Sequence, residues 1–135
     1  MKILLTGILA VLLTVPVISK TLTLNCSQED ILLYSDLSEP AIQYKSSVTM
    51  IIQDDTVLTK SKSDFLGDIA DSEVMESVYK ILQRDLNYIQ FKDETNHKEG
   101  GVEYLDIINL NLNNKTYLGV SFVGVIAGIA RGKCF

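Results

Sequence analysis

The chain has 135 residues, with 12 basic against 17 acidic side chains for a net charge of −5, 47% hydrophobic residues and two cysteines. That acidic balance argues against nucleic acid as a partner, because affinity for phosphate backbones rests on clustered Lys and Arg. The length suits one domain with a moderate core, and two cysteines so far apart exclude a CxxC redox or metal pair.

Residues 1–19 read as a signal peptide: Lys2 gives a positive start, residues 3–13 are almost entirely apolar, and Pro16 precedes small or medium residues at Val17 and Ser19. This run is too short for a membrane span, which needs about eighteen apolar residues or more. The mature domain is then 20–135, carrying 11 basic and 17 acidic residues for a net of −6. A secreted or periplasmic location follows. In that oxidising compartment Cys26 and Cys134 are expected to form one disulfide joining the two ends of the domain.

Residues 21–25 alternate Thr with Leu and run into Cys26 as a first strand, and 31–34 is a short apolar run. Val48, Met50 and Ile52 share one face of a strand over 46–53, with Asp54 and Asp55 turning the chain into a second strand over 56–59. A helix is predicted from Asp71 or Ser72 onward, because Val74, Met75, Val78, Ile81 and Leu82 recur at helical spacing. Glu76 and Lys80, four residues apart, would support it.

A period of two then returns. Residues 88–91 form a strand, and 93–101 is a polar connection ending in glycine. Over 102–112 the even positions place Val102, Tyr104, Asp106, Ile108, Leu110 and Leu112 on one face, the clearest amphipathic strand in the chain. Asn113 and Asn114 accommodate the positive φ of a tight turn, so 116–122 folds back on it. The apolar stretch 117–130 has two readings: a helix with Gly124, Gly128 and Gly132 on one face, or buried strands with Val120, Phe122, Ile126 and Cys134 on one side. About 21 Å of helix falls short of a bilayer core, which favours strands.

No catalytic, cofactor-binding or metal-binding residue stands out. His97 is the single histidine and sits in the polar connection without partners at a suitable spacing. Residues 93–104 lack the ligand register of a calcium loop, and 128–134 lacks both the first glycine and the Ser or Thr of a phosphate loop. Asp68, Asp71 and Glu73 are read as partners of a helix start rather than as an acid–base set. Asn25 and Asn114 head N-glycosylation patterns, relevant only in a cell that glycosylates.

The early strand bearing Cys26, Tyr88-Ile89-Gln90-Phe91, the strand 104–111 turning through Asn113-Asn114-Lys115-Thr116 and the closing Gly132-Lys133-Cys134 resemble a loose group of small exported bacterial proteins with a terminal Gly-x-Cys. The resemblance implies a β-rich, disulfide-closed domain and no particular mechanism.

The resulting expectation is a single α+β domain, a twisted antiparallel sheet of about five to seven strands with one packed helix. Its expected function is that of an exported, non-catalytic binding or accessory domain, without cofactor, acting on an envelope or extracellular protein. The alternatives are a membrane-active protein using 117–130 and a hydrolase with acidic catalytic residues.

Overall fold

The computed structural model describes residues 20–34, 38, 40–65, 67–93 and 104–135. The proposed signal peptide, His97 and Val102 lie outside them. The chain folds as β1 (Leu22–Tyr34), β2 (Ile42–Ile52), β3 (Thr56–Ser63), β4 (Met75–Arg84), β5 (Tyr88–Asp93), β6 (Tyr104–Asn111), β7 (Thr116–Val123) and β8 (Ile126–Cys134). Each strand pairs antiparallel with the next, and β8 pairs back onto β1, closing an eight-stranded up-and-down barrel. Closure leaves no sheet edge unpaired, which removes the template for edge-to-edge association.

This all-β barrel corrects the expected α+β domain, a twisted antiparallel sheet with one packed helix. Among the described residues there is no α-helix, only a 3-10 turn at Ile69–Asp71. The segment expected to be helical is β4. Its apolar stripe at helical spacing competes with a period of two at Ser77, Tyr79 and Ile81, and the second pattern prevails because β4 bridges β3 and β5. Tyr79 is buried and meets Phe91 edge-on at 5.3 Å between ring centroids, while Val78 and Leu82 stand exposed outside. Glu76 pairs across strands with Lys60 at 2.7 Å. As a strand the segment supplies the backbone pairing on both sides that closing the barrel requires.

Strand β1 also differs from expectation. It runs unbroken for 13 residues, with Cys26 near its start rather than at its end. The hairpin β2–β3 and the hairpin β6–β7 form where the alternation placed them. In the latter turn the left-handed residue is Lys115, with φ 55°, rather than an asparagine. Asn111 and Asn114 instead hold the turn with their side chains: Asn111 Oδ1 accepts from the Asn113 and Asn114 amides, and Asn114 Oδ1 accepts from the amide and hydroxyl of Thr116. Residues 117–123 and 126–130 lie in β7 and β8, as strands. Their faces are not as expected: Tyr117 and Gly119 are buried, Phe122 is exposed, and Cys134 is buried. The Gly124–Val125 turn, where Gly124 adopts φ 58°, changes which parity points inward.

Cys26 and Cys134 face each other across the β1–β8 seam and are disulfide-bonded. The bond therefore staples the strands that close the barrel. The core fills the end of the barrel bounded by the short turns at 53–55, 85–87 and 112–115. Phe91, Met50, Ile52, Ile89, Leu110 and Val57 are fully buried there, each worth roughly 1.5–3 kcal/mol relative to exposure.

Candidate functional site in the barrel interior

Above this apolar floor the inward positions change character. Ser46, Ser61, Ser63, Ser77, Gly119, Ser121 and Ala130 replace the Leu, Ile and Phe of the other end. Small side chains leave unfilled space, and a cavity of about 220 Å³ opens inside the barrel. Gly119 lies close to its neighbours: a Cβ there would sit 3.3 Å from both Ala130 Cβ and Ile108 Cγ1. The cavity floor is Val48, Met50 and Ile108, and its wall carries Gln28, Asp30, Tyr44, Tyr79, Tyr104 and Asp106.

Two hydrogen-bond networks order that wall. Across the seam, Tyr117 Oη donates to Gln28 Oε1, Gln28 Nε2 donates to Asp30 Oδ1 at 2.6 Å, and Ser46 Oγ donates to Asp30 Oδ2 at 2.7 Å. On the opposite side, Tyr79 Oη and Tyr104 Oη both donate to Asp106 Oδ2, at 2.6 and 3.2 Å. Asp106 Oδ1 receives neither of these bonds. Ser61, Ser63, Ser77 and Ser121 make no side-chain hydrogen bond to another described residue. Hydroxyls that can donate or accept therefore line the space alongside a carboxylate oxygen.

Burial dominates the electrostatics. It pushes the carboxyl of Asp30 above the usual range, against the lowering effect of the Ser46 and Gln28 bonds. It does the same to Asp106, against its two tyrosine donors, and the charges of Asp93 and Asp30 add to the rise. The phenol of Tyr44 is raised to about 12 by burial and by Asp30. Those of Tyr79, Tyr104 and Tyr117 are raised for the same reason, with Asp106 adding to the first two and Asp30 to the third. All four phenols are hydrogen-bonding groups at neutral pH, not acids.

No protein-family model, curated protein or solved structure matches the chain. The architecture that the Gly-x-Cys resemblance implied is present at a coarse level, as a small all-β barrel with its terminal disulfide, and no family is identified.

Sequence reasoning had no site residue beyond the two cysteines. Asp68, read as a cap, does cap: its Oδ1 accepts from the Ala70 amide at 3.1 Å, in the 3-10 turn rather than a helix. Among the described residues no group of three His, Cys, Asp or Glu converges to hold a metal ion. Residues 128–134 form most of β8, with Cys134 disulfide-bonded. Asp30 and Asp106 were missed, although one signal was present: Asp106 falls on the apolar face of the clearest amphipathic strand, where a carboxylate is costly unless it serves a polar interior.

Proposed function

We propose that this chain is an exported, non-catalytic binding protein that takes a small polar molecule into the open part of its barrel. The observation that carries this reading is the abrupt change along the barrel axis from a close-packed apolar floor to a hydroxyl- and carboxylate-lined cavity. A barrel of eight strands is just wide enough either to be filled by its side chains or to hold one small ligand, and here each applies to one half. Ligand pockets combine an apolar surface with a few convergent polar groups. At about 220 Å³ the space is below the roughly 300–1,000 Å³ of drug-sized sites, which limits the ligand to a small molecule or to one end of a longer one.

The test is a thermal-shift and amide-NMR screen of small polyols, amides and amines against the mature protein, repeated with Ser61→Leu, which fills the cavity from its wall. Binding that shifts the amides of Ser61, Ser77 and Ser121 and is lost in the filled variant supports the reading. Binding indifferent to that substitution, or no binding across the panel, rejects it.

Two other readings have specific support. Asp30 and Asp106 in one cavity provide the acidic pair a hydrolase would use, and absence of turnover on a panel of chromogenic glycosides would set that aside. Leu118, Phe122, Val123 and Val125 are exposed on and beside β7, which supports contact with an envelope partner or a lipid surface. Failure to float with liposomes or to retain any envelope protein would remove it.

A further inference from the structure

The cavity does not end inside the barrel. Ser63, Glu73 and Met75 line both it and a second cleft of about 440 Å³ beneath the β3–β4 connection, whose other walls are Phe65, Gly67, Asp68, Asp71 and Ser72. The two spaces therefore adjoin at these three residues, with Asp30 and Asp106 on the barrel side and Phe65, Asp68 and Asp71 on the other. Met75 and Phe65 are 69% and 44% exposed, an apolar surface among these polar groups.

Among the described residues lining the two spaces, every charged one is acidic. The carboxylates are spread over both spaces, and no three converge as a metal ion would require. The complementary ligand carries its positive charges apart, joined by something apolar. We propose that the binding site, on the reading given above, takes a linear aliphatic diamine: one ammonium in the barrel between Asp30 and Asp106, the methylene chain across Met75 and Phe65, and the second ammonium at Asp71 and Glu73. Asp106 Oδ1 and the hydroxyls of Ser61, Ser77 and Ser121 supply acceptors for the inner ammonium, whose three donors need several. Met75 is suited to the chain because its thioether is polarizable and adapts to an aliphatic partner.

The experiment is isothermal titration of the mature, oxidised protein with 1,5-diaminopentane, pentylamine and 1-pentanol at neutral pH. It uses wild type, Asp106→Asn and the double variant Asp71→Asn/Glu73→Gln, with amide NMR to locate each compound. The diamine is expected to bind tightest, pentylamine about tenfold or more weaker, and pentanol weakest, since each charge-assisted bond is worth at least that factor. Asp106→Asn should weaken both amines by about tenfold or more. The double variant should weaken the diamine more than it weakens pentylamine and so bring the two affinities together. Equal affinity for all three compounds, or a diamine affinity indifferent to Asp106→Asn, overturns the inference. If pentanol or a neutral amide shifts Ser61, Ser77 and Ser121 while the amines do not, the diamine assignment falls and the barrel-cavity reading stands. If nothing shifts them, both fall.

Discussion

Reducing the Cys26–Cys134 bond in the otherwise unchanged protein is expected to cost about 4–5 kcal/mol of stability at 25 °C while leaving the barrel folded. The bond joins residues 108 apart, and a closed loop of about 100 residues removes about 4.7 kcal/mol of chain entropy from the unfolded state. The native state has little to lose, because the β1–β8 seam is held by paired backbone from Cys26–Cys134 through Tyr34–Ile126. With an unfolding entropy of about 2.1 cal/mol/K per residue over the mature domain, the midpoint should fall by about 20 °C. The assay is urea unfolding followed by far-UV circular dichroism, with and without a phosphine reductant. The m-value should rise on reduction as the unfolded chain opens. Reduction is preferable to Cys→Ala exchange, since both cysteines are buried and alanine would add a packing loss. A difference below about 1 kcal/mol between two cooperative transitions would refute the argument from unfolded-state entropy. Loss of the native spectrum in water would show that the bond, rather than strand pairing, holds the seam.

Three further outcomes are expected. Between the ordinary carboxyl value of 3.8 and the raised native values of Asp30 and Asp106, the folded protein retains protons that the unfolded chain has released. These two groups therefore make stability fall as pH rises through that window. Asp106→Asn should flatten this dependence and raise the midpoint at neutral pH, as shown by calorimetry at several pH values; a lowered midpoint would contradict it. Gly132→Ala should destabilise by about 1–3 kcal/mol, because a Cβ there would lie 2.0 Å from the Tyr117 ring. The displaced ring would also withdraw its hydroxyl from Gln28, and urea unfolding with tyrosine fluorescence reads both effects. Lys115→Gly should stabilise by up to about 1 kcal/mol by relieving the left-handed conformation of Lys115, with a lower midpoint in thermal unfolding as the contrary result.

How far the strands show in the sequence depends on whether the barrel interior is apolar at the position concerned. Where it is, the period of two shows through: Val48, Met50 and Ile52 on β2 and Ile108 and Leu110 on β6 are all buried as their alternation required. Where the interior is polar, the same period is invisible to a hydrophobic count. Strand β1 alternates Leu22, Leu24, Cys26, Gln28, Asp30, Leu32 and Tyr34 on its inner face, and the polar pair in the middle made one strand look like two. Strand β4 suffered the opposite fault, since outward Val78 and Leu82 completed a false helical stripe with inward Ile81. The residues that build the candidate site are therefore those that weakened the strand signal.

By itself the sequence determined the features whose causes are local, the hairpins β2–β3 and β6–β7 and the strand character of β5 and β6, and, from the cysteine count alone, the link between Cys26 and Cys134. Tertiary structure decided the closure of the sheet, the fate of β4 and the existence of the cavity. Closure needs β8 to return to β1, a contact between segments about a hundred residues apart that no short-range pattern encodes. Asp30 and Asp106 are far apart along the chain and share a wall only because the barrel brings β1 and β6 around one interior. The space between them is set by what is small on neighbouring strands, and that is a property of the closed barrel rather than of any segment.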